Sequence, residues 1–285
     1  MPCREAVSFI EQHANQEPFF MYLAYNAPHT PLQASDKYLE RFTNIEDEDR
    51  RIYAAMVSAV DDGVGMVLDK IESLGIEENT MVFFLSDNGG PENDNASDNG
   101  LLREGKGSLY EGGVHVPFAM QWPGKIPAGM TYENPVVSLD IMATAVAVAN
   151  AEVSNPLDGV NLLPYINGEA DGKPHDYLFW RKFDQRWHAV RGTEYKLLER
   201  SGESSEIYNL KNDLGETTTL ALNDDNQYTA LKNAYKHWAK QMIDPAYLGL
   251  MQGAKYNQTH PNRFEIPSPF QVDTTTPYVP DGYEL

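Results

Sequence analysis

The sequence predicts an α/β fold on three observations. Phe19-Phe20-Met21-Tyr22-Leu23-Ala24-Tyr25 and Met81-Val82-Phe83-Phe84-Leu85 are apolar runs of strand length, each broken off by turn residues, the pattern of strands covered on both faces. Between them Tyr53, Met56, Val57, Val60, Val64, Val67, Leu68, Ile71 and Leu74 keep a helical period for about seven turns. Strand, long helix and strand make half of a crossover unit, so the two strands are expected to be parallel neighbours. Beyond about residue 175 the pattern changes to short aromatic runs between turns, which reads as a separate antiparallel unit.

Taken in order, Ala6, Phe9, Ile10 and His13 form one face of a short opening helix that Asn15 and Pro18 end. The Phe19 strand follows and stops at Asn26-Ala27-Pro28-His29-Thr30-Pro31, a loop stiffened by two prolines around a histidine. The long helix runs from Asp49 to Gly75, a residue suited to the left-handed position after a helix. The Met81 strand ends at Ser86-Asp87-Asn88-Gly89-Gly90, and a further strand, Val116 to Trp122, begins at Pro117. Pro135 to Leu139 is a short strand lead into an apolar helix, Ile141 to Ala149, expected to be well buried. Asn155 to Pro164 is a loop.

The later runs are Tyr177 to Trp180, Trp187 to Val190, Tyr195 to Leu198 and Ile207 to Leu210, followed by a helix from Gln227 to Met242. Three segments are therefore expected: 1–174, an α/β domain; 175–245, a small antiparallel sheet plus helix; and 246–285, an extended tail rich in Pro, Tyr and Thr.

Composition narrows the function. The 285-residue chain carries a formal net charge of −20, which disfavours nucleic acid because no basic surface can displace phosphate counterions. No apolar run is long enough to cross a bilayer, and Met1 to Ala6 contains no apolar signal-peptide core. One cysteine, Cys3, excludes an internal disulfide framework.

Chemistry concentrates between Met81 and Pro117. Ligands in open α/β sheets sit at the carboxyl ends of strands, where Asp87 and Asn88 offer hard oxygen donors. His29 also follows a strand directly, so parallel neighbours would bring it to the same edge. Lys106 lies between Gly105 and Gly107, whose missing side chains let an oxyanion approach the backbone. Taken singly these are weak signals: Asp-Asn-Gly forms turns, a lone histidine is commonly structural, and Lys106 can be a solvated lysine. Asp61-Asp62 reads better as a solvated helix face than as an acid–base pair. The loop Asp94 to Gly100 lacks the donor alternation of a calcium hand.

In order they form a more specific pattern. Asn26-Ala27-Pro28-His29-Thr30-Pro31-Leu32, Leu85-Ser86-Asp87-Asn88-Gly89, and Leu102-Arg103-Glu104-Gly105-Lys106-Gly107-Ser108-Leu109-Tyr110-Glu111-Gly112-Gly113-Val114-His115-Val116-Pro117 together resemble the type I sulfatases of the alkaline-phosphatase superfamily. The likeness is to bacterial arylsulfatases and the N-acetylgalactosamine-6-sulfatase-like group, from about residue 5 to 220, and it includes Glu206 to Thr217. It implies an alkaline-phosphatase-like α/β/α sandwich with a small C-terminal α+β subdomain. It also implies calcium on Asp87 and Asn88, a sulfate oxygen held by Lys106, and a hydrogen bond from His29 that assists the leaving ester oxygen. The family's attacking group is a formylglycine hydrate. Asp-Asn rather than Asp-His at the strand end argues against the two-zinc phosphatase branch.

Two departures qualify the resemblance. His115 stands where the family carries arginine. Cys3 is followed by Glu5 and Val7 where the formylglycine motif needs Pro or Ala and then Arg. The chain is accordingly read as a C-terminal portion of a sulfatase, inactive alone, from a parent expected in the periplasm or secreted. Its partner is a sulfated small molecule or glycan, with Tyr177, Phe179, Trp180 and Trp187 as a stacking surface or as core, and self-association through exposed sheet surface is expected. The other readings are a phosphoester or phosphonate hydrolase and a non-catalytic glycan-binding remnant.

Overall fold

The computed structural model describes residues 2–222 and 226–243. The expected tail, 246–285, lies outside the described residues. Two compact units are present, Met1–Glu133 with Ile141–Asp171, and Asn134–Asp140 with Gly172–Leu285.

The first unit opens on α1 (Pro2–His13), which packs against α3 (Glu48–Ser73); the short α2 (Asp36–Leu39) and a single 3₁₀ turn lie between them. Helix α3 has 26 residues, about 39 Å of rise. Asp47 caps its start, accepting a hydrogen bond from the Arg50 amide at 2.7 Å. Its end is a Schellman turn: Gly75 takes φ +64°, and the amides of Gly75 and Ile76 reach back to the carbonyls of Glu72 and Ile71. The buried faces of α1 and α3 meet at Ala6, Ile10, Val67 and Ile71, with Ile76 beside them. Phe19, Met21, Leu23 and Val82 pack on that cluster.

Strand β1 (Val82–Leu85) pairs antiparallel with β2 (Phe118–Gln121), Val82 opposite Gln121 and Leu85 opposite Phe118. The short helices α4 (Glu92–Asn95) and α5 (Glu111–Val114) lie in the connection between them. This corrects the expected parallel pairing with Phe19–Tyr25. That segment is extended and alternates half-buried with exposed residues, but it joins no ladder among the described residues. Phe84 is 45% exposed, so β1 is not covered on both faces. The strand lead at Pro135 to Leu139 does not form. Helix α6 (Leu139–Val148) covers the expected apolar helix but buries only one side, Ala143 and Thr144, while Met142 and Val148 are exposed. A four-residue helix, α7 (Leu163–Ile166), ends the expected loop.

The second unit is the predicted meander. Strands β3 (Leu178–Lys182), β4 (Trp187–Arg191), β5 (Tyr195–Arg200) and β6 (Glu206–Asn209) pair antiparallel in sequence order. Helix α8 (Asn226–Ala239) covers one face, burying Leu231 and Tyr235 against Val190, Leu197 and Ile207. Lys196 and Glu216, both fully buried, lie 3.0 Å apart as an ion pair. No helix among the described residues is long and apolar enough to cross a membrane.

Candidate active site

The site is built where β1 stops. Its ladder with β2 continues past the strand ends, the Ser86 amide donating to Pro117 and the Gly89 amide to Gly113. The segment between then turns on itself: the Asn88 amide donates to Asp87 Oδ1 at 3.0 Å, and Ser86 Oγ donates to the Asn88 carbonyl at 2.8 Å. Asn88 Nδ2 is spent on the Gly89 carbonyl at 2.9 Å. Among the described residues, Asp87 Oδ2 and Asn88 Oδ1 make no hydrogen bond. Two hard oxygens are thus available at the strand end, which fits part of a calcium shell. Among the described residues no cluster of three His, Cys, Asp or Glu side chains could hold a metal.

The glycines of the next block serve loop-on-loop packing. A side chain on Gly89 would strike the Gly112 carbonyl, and one on Gly105 would strike the Gly90 carbonyl. The room expected beside Gly105 for an oxyanion is therefore filled by protein backbone. Gly107, at φ +87° with nothing within 4 Å, keeps open space on the far side of Lys106. Asn99 clamps the two loops: it donates to the carbonyls of Gly90 and Glu104 at 2.8 and 2.9 Å and accepts from the Gly90 amide at 2.9 Å. Within the loop around it, Asn95 accepts from the Ser97 amide and Asp98 from the Gly100 amide, and Arg50 ties the loop to α3 by donating to the Ala96 carbonyl at 2.7 Å.

This packing brings Lys106 to His29. Lys106 Nζ lies 3.2 Å from His29 Nε2, and His29 Nδ1 lies 2.7 Å from the Thr30 carbonyl. A carbonyl can only accept, so Nδ1 carries the ring proton and Nε2 accepts from Lys106. The histidine is held in one orientation by its own loop, which is flanked by cis prolyl bonds at Pro28 and Pro31. Both side chains are exposed, so an incoming oxyanion meets two nitrogens without displacing buried groups.

Three features escaped the sequence reading. Asn99 lies in the Asp94 to Gly100 loop that carries no motif in the sequence, and only the tertiary fold shows it as a clamp. Fully buried Glu111 holds His115 Nδ1 at 3.0 Å, a pairing that the i, i+4 spacing alone would have suggested. Asp62 is tied by Arg41 at 2.8 and 2.9 Å and by Lys37 at 3.1 Å. Arg41 first and Lys37 second hold its carboxyl well below the usual range. Cys3 is buried in α1 and donates to the Tyr25 hydroxyl at 3.6 Å. Burial, then that hydrogen bond, push the Tyr25 phenol well above its usual range. Of the four aromatic residues offered as a sugar surface, Phe179 stacks on Trp238 at 5.0 Å and Tyr177 packs beside it, so both belong to the core of the second unit.

In an α/β protein, a carboxylate–amide turn at a strand end and a lysine–histidine pair on other loops are groups that could hold a divalent cation and a tetrahedral oxyanion. Comparison with known proteins makes this specific. Residues 3–151 match the sulfatase family and residues 105–244 the C-terminal region of N-sulphoglucosamine sulphohydrolase; the chain belongs to the sulfatases, of the type I, alkaline-phosphatase-like kind. It is 34% identical over 271 residues to a sulfatase of Formosa agariphila, covering 81% of this chain and 48% of that protein. It is 32% identical over 263 residues to the N-acetylgalactosamine-6-sulfatase of Mus musculus, covering 80% and 49%. The crystal structure of Ps i-CgsB in complex with k-i-k-neocarrahexaose superposes with a TM-score of 0.82 at 33% identity, covering 94% of this chain and 59% of that one. The chain thus spans about half the length of these two relatives.

Proposed function

We propose that this chain forms the oxyanion-binding wall of a sulfuric ester hydrolase that acts on sulfate esters of a saccharide. The observation that carries the reading is the 3.2 Å approach of Lys106 to His29, on a loop whose Gly105 packs against Gly90, two residues past Asn88. Lys106 donates to a sulfate oxygen and supplies a fixed positive charge where negative charge gathers. With sulfate bound between it and Lys106, His29, oriented through Nδ1, takes up a second proton at Nε2, bonds the sulfate through it and gives it to the departing ester oxygen, returning to the neutral ring. Asp87 and Asn88 would hold calcium, which supplies Lewis-acid stabilisation when bound. A saccharide carrier is supported by the hexaose held in Ps i-CgsB and by the name of the N-acetylgalactosamine-6-sulfatase relative.

Attack on sulfur needs a nucleophile. Cys3 lies in a helix, hydrogen-bonded to Tyr25, in a context that does not fit the family's formylglycine motif. The 285-residue chain alone is therefore expected to bind sulfate without turning over 4-nitrophenyl sulfate. Calorimetric titration with sodium sulfate in the presence of calcium checks this: saturable binding should weaken at least tenfold in Lys106→Ala. Equal binding by the variant, or turnover by the chain alone, would refute the assignment. Parallel titration with phosphate separates sulfate from phosphate chemistry.

A further inference from the structure

Lys106 is presented by a loop without regular structure: among the described residues, Ala96 to Tyr110 contain no helix or strand. Its side chain is exposed, so packing around it does not fix where its ammonium goes. The backbone does. The Ser108 amide donates to the Gly105 carbonyl at 3.0 Å, closing a four-residue turn with Lys106 second and Gly107 third. Gly107 takes φ +87°, the left-handed value that the third position of a type II turn demands. The direction in which this turn leaves the loop is set just before it, by Glu104. Glu104 has φ +57°, a conformation that glycine adopts freely and an L side chain resists.

One side chain holds that conformation. Asn99 Nδ2 donates to the Glu104 carbonyl at 2.9 Å, which fixes the plane of the peptide between Glu104 and Gly105. Its second Nδ2 hydrogen goes to the Gly90 carbonyl at 2.8 Å, and Oδ1 accepts from the Gly90 amide at 2.9 Å. The side-chain amide can face only one way, because two carbonyls need donors and one N–H needs an acceptor. Asn99 is itself anchored: its backbone amide donates to Glu92 Oε1 at 2.6 Å, and its carbonyl accepts from the Leu102 amide at 3.2 Å. The Glu104 carbonyl also lies against Gly112, where a side chain would strike it. Gly90 stands two residues after Asn88 and Glu104 two before Lys106. Asn99 therefore joins the turn that offers oxygens to the backbone that aims the cation.

We propose that Asn99 is a positioning residue for the oxyanion pair: by bonding Gly90 and Glu104 at once it keeps Glu104 left-handed, sets the turn that carries Lys106, and brings the ammonium to His29 Nε2. The 3.2 Å approach of Lys106 to His29 then depends on the shape of the Asp87–Gly90 turn, although neither residue belongs to it. Loss of Asn99 displaces the lysine charge while leaving both site side chains in the chain. The consequence for sulfate binding rests on the function proposed above. The approach of the two nitrogens does not, so the two can fail separately.

Side-chain nitrogen NMR of the histidines, on the full 285-residue chain at pH 8, tests this without a ligand. Lys106→Ala identifies the change in the His29 Nε2 signal that accompanies loss of the ammonium. Asn99→Ala should move that signal at least half as far. Asn99→Asp, which keeps an acceptor for the Gly90 amide and loses both donors, should do the same. The His13 signals, from α1, should stay in place and show that the first unit is folded. In a Lys106→Ala background, Asn99→Ala should add no further shift. Glu104→Gly, left-handed without help, should restore at least half of the change that Asn99→Ala causes, a rescue that a general loosening of the loop would not show. In parallel calorimetry, sulfate affinity should fall at least about fivefold in Asn99→Ala and recover with Glu104→Gly. Three results would overturn the proposal: an unmoved His29 signal in both Asn99 variants, a shift of equal size when Lys106 is absent, or no recovery with Glu104→Gly. If the signals behave as expected and the unaltered chain binds no sulfate, the positioning role stands and the sulfate reading fails.

Discussion

The two units handle the same material, apolar strands beside a helix, in opposite ways. In the second, all four strands are paired in order, and Val190, Leu197 and Ile207 are fully buried beneath α8. In the first, aromatic residues of the same hydrophobic weight stand in water on a two-stranded ladder and an unpaired extended segment. The contrast teaches that a site and a closed core are separate achievements. The first unit holds Lys106 against His29 through loop packing alone, with its sheet unfinished. The second has a finished core, and none of the family's matched site residues falls in it.

The sharpest way to break this comparison is to open the second unit. Lys196→Met removes the cation that faces the buried Glu216 carboxylate and should cost about 3–5 kcal/mol in urea denaturation, whereas adding Glu216→Gln should recover part of that loss. The clamp of the first unit comes next. Asn99→Ala removes three hydrogen bonds between the site loops and should cost about 2 kcal/mol, with a matching loss of sulfate affinity by calorimetry.

A pH titration gives a smaller effect confined to the second unit. Burial pushes the Glu199 carboxyl up, but His188, Ser205 and Lys232 outweigh it and hold it at about 2. His188 contributes by position: its ring stacks on Tyr235 at 3.6 Å and its Nε2 lies 3.2 Å from Glu199, off the line of a good hydrogen bond. Because the folded value lies below the unfolded one, this contribution is full above about pH 4.5 and is lost as pH falls toward 2. Melts over that range should flatten in Glu199→Gln, which costs about 1–2 kcal/mol at neutral pH. The smallest effect belongs to the open face: Phe20→Ser with Tyr22→Ser should change the stability of the chain alone by less than about 0.5 kcal/mol, while Val190→Ala should cost about 1–3 kcal/mol.

Sequence reasoning went furthest where structure is local. The long helix and its Gly75 stop, the four-stranded meander and the helix after it were legible because period, capping and turn chemistry act within a few residues. It went wrong at Phe19–Tyr25 and β1, where an apolar run promises a strand but does not say which segment pairs with it. His29 and Lys106 were legible as a pair only through the family pattern, since 77 residues separate them. Asn99 was not legible, because an asparagine in a polar loop becomes a clamp only when two glycine-rich segments close around it.

The contrast between the units is measured most directly by hydrogen exchange of the chain alone, followed peptide by peptide at neutral pH. The account predicts that Phe19–Tyr25 exchanges near the rate of an unstructured peptide, while Trp187–Arg191 and Tyr195–Leu198 are protected to the limit set by global unfolding. Equal protection of Phe19–Tyr25 and the second unit's strands, in a monomer, would contradict it.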